Sequence, residues 1–104
     1  MQRQTIVTQV QKAIHDVDPT ATVILYGSEA RGDARQDSDI DILILLEGEK
    51  CDLKRERTFT RPLNDIEWNT GVLISPMIML RKQWENRPFE TPFSINVRNE
   101  GVRL

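Results

Sequence analysis

Gly27-Ser28-Glu29-Ala30-Arg31-Gly32-Asp33-Ala34-Arg35-Gln36-Asp37-Ser38-Asp39-Ile40-Asp41 is the stretch on which the fold and the chemistry both turn. The five residues before it, Thr22-Val23-Ile24-Leu25-Tyr26, are β-branched or large and apolar, which predicts a short buried strand. Ile40 to Leu46 reads Ile-Asp-Ile-Leu-Ile-Leu-Leu, a second strand buried on both faces except at Asp41. Between the two strands only Ala30 and Ala34 are apolar, so the link is a polar loop that can begin with a helical turn over 29–32.

Upstream, Ile6, Val7, Val10, Ala13, Ile14 and Val17 recur at helical spacing and predict a helix over 3–17, ended by Asp18-Pro19. Downstream, Leu53, Phe59, Leu63, Ile66 and Trp68 predict a charged helix within 51–68, broken or kinked at Pro62 and stopped by Gly71. Residues 72–80 are apolar apart from Ser75 and carry Pro76, which predicts a third strand at a sheet edge or bulged near the proline. A short helix over 81–87 would pack Trp84. Thr91-Pro92 and Gly101 bracket a last helix over 92–100. The order predicts one α/β (α+β) domain over residues 1–104, with a small mixed sheet of three to four strands and helices packed on one face.

The composition excludes several classes. A chain of 104 residues buries roughly 60–65% of its unfolded surface, enough for one modest core. A net charge of -2 argues against a free-standing nucleic-acid binder. The single cysteine, Cys51, excludes an internal disulfide and a thiolate metal cluster. No apolar run is long enough to span a membrane and none follows the first residues as in a signal peptide, so the expected location is the cytoplasm. His15 reads as a surface or helix-end histidine, and Trp68 and Trp84 as core or rim packing. Lys54-Arg55-Glu56-Arg57 reads as a solvated helix face, open to assisting an acidic partner.

The loop carries the chemistry. Gly27 lets a ligand approach the backbone, Ser28 offers a hydroxyl and an amide, and a helical turn behind them aims free N–H groups at one point. Arg31 adds a planar cation suited to phosphate, and Ser38 is a turn residue beside the acids. Asp39 and Asp41, two apart at the start of a strand, point to one face. Two like charges on an otherwise apolar face are best explained by a divalent cation between them, and hard oxygen ligands favour Mg²⁺ or Mn²⁺. A phosphate cradle beside such an ion points to a nucleoside triphosphate.

These residues resemble the signature of the nucleotidyltransferase superfamily: Gly-Ser, 10 residues, then Asp-x-Asp. The fuller pattern Gly-Ser-x-Ala-Arg-Gly-x-Ala-x-x-x-Ser-Asp-x-Asp is similar to that of the minimal nucleotidyltransferases. It is met at Gly27, Ser28, Ala30, Arg31, Gly32, Ala34, Ser38, Asp39 and Asp41. The ending Asn-Val-Arg-Asn-Glu-Gly-Val-Arg-Leu also resembles the closing helix of such domains. The resemblance implies a palm-like fold and transfer of a nucleoside monophosphate, AMP from ATP, to a hydroxyl acceptor. It implies that Asp39 and Asp41 hold the metal, and that Gly27, Ser28, Arg31 and Ser38 bind the nucleotide. It also implies a helical partner protein, as in HEPN/MNT toxin–antitoxin pairs; a homo-oligomer is the other assembly expected.

One position departs from the pattern. The family usually carries a third carboxylate on the next strand, and here Thr70-Gly71-Val72-Leu73-Ile74-Ser75-Pro76 has none. Asp65 and Glu67 are the nearest acids, on the preceding helix, and one would have to swing in. A second reading therefore stands beside the enzyme: a catalytically impaired nucleotide-binding module that masks its partner by contact.

Overall fold

In the computed structural model, which describes residues 2–104, the chain runs α1 (Arg3–Val17), β1 (Thr22–Tyr26), α2 (Gly27–Arg31), β2 (Ile40–Leu46), α3 (Leu53–Thr70), β3 (Ile74–Leu80), α4 (Arg81–Glu85), α5 (Pro92–Glu100) and β4 (Val102–Arg103). The sheet order is β3-β2-β1-β4. β1 pairs antiparallel with β2 and β4, and β2 pairs parallel with β3, so the sheet is mixed as expected. α3 supplies the crossover that parallel neighbours require.

β2 organises the core because it is covered on both faces. Ile40, Ile42, Ile44 and Leu46 point toward α1 and α3, where Ile6, Val10, Ile14, Phe59 and Leu63 close over them. The alternate residues Leu43 and Leu45 point the other way and meet Val97, Tyr26, Met79, Trp84 and Phe93. The expectation of helices on one face is thus met by the two long helices, while α4 and α5 cover part of the opposite face. The reason is the aromatic cluster: Phe93 packs edge-on against Tyr26 (5.3 Å) and Trp84 (6.0 Å), which draws both short helices onto the sheet. His15 Nε2 lies 3.0 Å from the Ala21 carbonyl, at the helix end as read from the sequence.

Two local features differ from the sequence reading, and Gly101 ends its helix as expected but by another geometry. α3 runs unbroken through Pro62. Phe59 and Leu63 flank the proline and are both buried, so packing holds both turns despite the missing amide. Gly101 ends α5 without a left-handed turn (φ -63°). A side chain there would collide with the Val97 carbonyl and approach Ile24 Cγ2 to 2.8 Å, because the chain turns tightly to lay β4 against β1. β4 itself, two residues long, has no counterpart in the sequence reading.

β3 lies at the edge without a bulge, in continuous register with β2 from Ile40↔Ile74 to Leu46↔Leu80. Ile40 N–H donates to the Leu73 carbonyl (2.9 Å), which leaves the amides of Ile74, Pro76 and Ile78 on the outer side. Glu67 Oε2 accepts from Ile74 N–H (2.9 Å) and Pro76 has no N–H, so the edge is blunted against further pairing.

Pro62→Ala restores the helical amide at an interior position. It is expected to raise stability by about 1–2 kcal/mol, less than the full helix penalty of proline because the unfolded chain also gains freedom. A urea or thermal melt checks this.

Candidate active site

The site begins where β1 ends. Tyr26 pairs with Asp41 across the antiparallel ladder, so the first residue after β1 lies beside the first acidic side chain of β2. That residue is Gly27, with φ +74°. A Cβ on it would sit 2.5 Å from Asp41 Oδ2 and 3.3 Å from its Cγ. Glycine is therefore required twice, by backbone conformation and by the carboxylate that fills the space. α2 follows at once as a single helical turn, with Ser28 in it, and the Ser28 carbonyl accepts from Asp33 N–H (3.1 Å). The Ser28 hydroxyl has no partner among the described residues.

Asp41 is half-buried and Asp39 exposed. Burial pushes the Asp41 carboxyl above the usual carboxylate range, the charge of Asp39 pushes it further, and Arg31 pulls it partly back. The Tyr26 phenol is raised too, by burial and then by Asp41. Asp39 thus acts on Asp41 as the sequence reading required. Asp39 Oδ2 also accepts from the Ser75 hydroxyl (3.1 Å), and Ser75 is the register partner of Asp41 on β3. Among the described residues no group of three or more His, Cys, Asp or Glu could hold a metal. The acids on α3 do not supply the third: Glu67 is held by Ile74 N–H and Asp65 is exposed on the helix.

Ser38 is at the turn into β2, where its hydroxyl accepts from Arg35 N–H (2.9 Å) and its carbonyl accepts from Arg3 Nη2 (2.6 Å). Arg31 is exposed and ion-paired with Asp33 (3.2 Å) and Glu100 (3.0 Å). Sequence reasoning misses three contributors. Ser75 reads only as the break in an apolar run. Glu100 lies in the quoted C-terminal ending, but nothing local joins it to Arg31. Arg3 ties the loop down: besides Ser38 it donates to Glu29 Oε1 (2.9 Å) and to the Gln36 carbonyl (3.3 Å), and its side chain is largely buried.

Comparison with known proteins is consistent with this geometry. The family model described as "Nucleotidyltransferase domain" matches residues 7–101. The chain belongs to the nucleotidyltransferase domain family. A protein of Methanocaldococcus jannaschii named "Putative protein adenylyltransferase" is 33% identical over 101 residues, 95% of each chain. Among solved structures, a toxin–antitoxin with AMP-PNP superposes with a TM-score of 0.65 at 18% identity, over 92% of this chain and 69% of that one. One described as "putative minimal nucleotidyltransferase" superposes with a TM-score of 0.61 at 23% identity, over 100% of this chain and 97% of that one. A point mutant of the toxin–antitoxin MntA-HpeT gives a TM-score of 0.61 at 21% identity, over 100% and 72%. This nucleotidyltransferase is therefore an enzyme of the nucleotidyl-transferring class with that family's fold. Among its described residues no helix is long and apolar enough to cross a membrane.

Two outcomes follow from the Gly27–Asp41 contact. Gly27→Ala is expected to cost about 1–2 kcal/mol from the left-handed backbone alone, plus the clash with Asp41. In a Gly27→Ala/Asp41→Ala double variant the clash is relieved and the backbone strain stays, so urea melts show it losing less stability than the sum of the two single variants. Asp41→Asn is expected to raise the thermal midpoint of the ligand-free protein at neutral pH. A carboxyl whose folded pKa lies above its unfolded value opposes folding while it is ionised. The gain from Asn is therefore full above the folded pKa and vanishes below the unfolded value of 3.8, a trend that melts from pH 3 to 7 resolve.

Proposed function

We propose that the chain is a magnesium- or manganese-dependent adenylyltransferase that moves AMP from ATP to a hydroxyl of a partner protein. The observation that carries this reading is the contact between Gly27 and Asp41: a side-chain-free turn held against a carboxylate whose neighbour, Asp39, is also acidic. A carboxylate whose proton affinity is raised by burial and then by a second carboxylate, with no cation among the described residues ion-paired to either, suits a hard dication. Asp39 and Asp41 would be its protein ligands; when bound it neutralises phosphate charge and stabilises the oxygens of an in-line displacement.

The remaining roles fall to the chain itself. The backbone of Gly27 and Ser28 would hold the β- and γ-phosphates, with the unpartnered Ser28 hydroxyl beside them. Arg31 already acts electrostatically on Asp41, and its two acidic partners are weak surface competitors for a phosphate. Ser38, through its turn with Arg35, would keep the loop closed on the nucleotide side. In the reaction the acceptor oxygen forms a bond to the α-phosphorus, the bond from that phosphorus to the β-bridging oxygen breaks, and pyrophosphate leaves. The hydroxyl proton would pass to water, because the β3 residue that pairs with Asp41 is Ser75 and not an acid. The acceptor protein we take to be of the helical HEPN kind.

A melt with ATP and Mg²⁺ together is expected to raise the thermal midpoint well above ATP or Mg²⁺ alone, and Asp39→Ala/Asp41→Ala to abolish the rise. Incubated with the product of a neighbouring gene, α-labelled ATP should label that protein and γ-labelled ATP should not. No metal-linked shift and no label would contradict the reading. Ser75 favours one alternative, a module that masks its partner by contact. Ser75→Asp discriminates: transfer limited by the missing acid rises by about 10²-fold or more, whereas a contact-only module stays silent.

A further inference from the structure

Of the 14 Lys and Arg residues, nine are ion-paired with acids among the described residues. Three of the other five, Lys54, Arg57 and Arg61, share one face of α3 and with Thr58 line a shallow cavity of about 230 Å³. All four are exposed, while Phe59 and Leu63 on the opposite face are buried in the core. Positions 54, 57, 61, 64 and 68 alternate spacings of three and four, so Lys54, Arg57, Arg61, Asn64 and Trp68 form one straight seam. At 1.5 Å per residue it is about 21 Å long. Trp68 at its end is 90% exposed, against the expectation of core or rim packing, which Trp84 does meet.

The seam works against the isolated helix. Arg57 and Arg61 are like charges one turn apart, and Lys54 sits in the first turn, where the helix dipole is already positive. Asp65, the next turn on, makes no ion pair with Arg61. Arg55, by contrast, turns away to Asp18 (3.8 Å) and to the carbonyls of Glu47 and Lys50.

We propose that the outer face of α3 docks an acidic amphipathic helix of a partner protein, its carboxylates meeting Lys54, Arg57 and Arg61 and an apolar notch receiving Trp68. Three cations that form no ion pair among the described residues, Lys54 acting only at a distance on Asp52, call for anions. A straight 3-4 seam fits the ridge of a second helix, and an exposed tryptophan at its end is a typical anchor. A nucleic acid is disfavoured because the chain as a whole is negative, at -2. The surface lies on residues distinct from those of the nucleotide site and does not depend on the transfer reading.

The test uses the full isotope-labelled chain and three probes: a synthetic helical peptide with Glu at 3-4 spacing beside Leu, a peptide of the same composition with Glu spread around the helix, and a single-stranded oligonucleotide. The patterned peptide is expected to shift the α3 amide signals and the Trp68 indole signal. Its binding should weaken at least about tenfold in Lys54→Glu/Arg57→Glu/Arg61→Glu and in Trp68→Ala, and also between about 50 and 200 mM salt. A neutral Lys54→Gln/Arg57→Gln/Arg61→Gln variant should melt at or above the wild-type temperature, because it removes the Arg57–Arg61 repulsion and the cation in the first turn. Equal binding of the two peptides, tighter binding of the oligonucleotide, or no shift on α3 would overturn the proposal.

Discussion

A carboxylate oxygen of Asp41 occupies the space where a side chain at residue 27 would begin. That contact is the constraint around which the rest is arranged. It exists because β1 and β2 pair antiparallel with Tyr26 opposite Asp41, and the register in turn is held by two faces of packing on β2. A slip of one residue would send Asp41 into the α1–α3 core and Ile42 or Ile40 toward the turn, a cost no sheet of this size could absorb. The packing of β2 on both faces thus fixes the position of a charged group, because Asp41 takes the one half-buried place on the strand.

The cost of the arrangement is electrostatic. Asp41 loses hydration and faces Asp39, and the chain supplies only part of the compensation. Arg31 acts from the rim but is shared with Asp33 and Glu100, and Ser75 gives Asp39 a neutral hydrogen bond. An acidic pair left under-neutralised by its own chain would be stabilised by any cation bound there, and binding of that kind would be linked to folding. Ser75, the register partner of Asp41 on β3, adds no charge beside the two acids, which lessens the repulsion within the chain.

Much of this is legible in the chain. The α1 face, both central strands, the α5 cap at Thr91 and the glycine–aspartate motif are local patterns, and local periodicity reports them faithfully. What escapes reading depends on distant pairings. β4 is two residues long and has no period of its own; it exists because β1 offers an edge. Arg3 reaches Ser38 across 35 positions and Arg31 reaches Glu100 across 69, and no spacing rule joins either pair. Pro62 signals a break that buried Phe59 and Leu63 overrule. Residue type alone assigns Trp68 to packing, whereas its angular position on α3, opposite Phe59 and Leu63, sets it in solvent.

The most direct test is a crystal structure grown with Mn²⁺ and a non-hydrolysable ATP analogue, with the metal located by its anomalous scattering. The expected result is a manganese peak bridging the Asp39 and Asp41 carboxylates to the triphosphate, with the phosphates lying on the Gly27–Ser28 backbone. A peak away from those two carboxylates, or a triphosphate bound elsewhere on the chain, would contradict it.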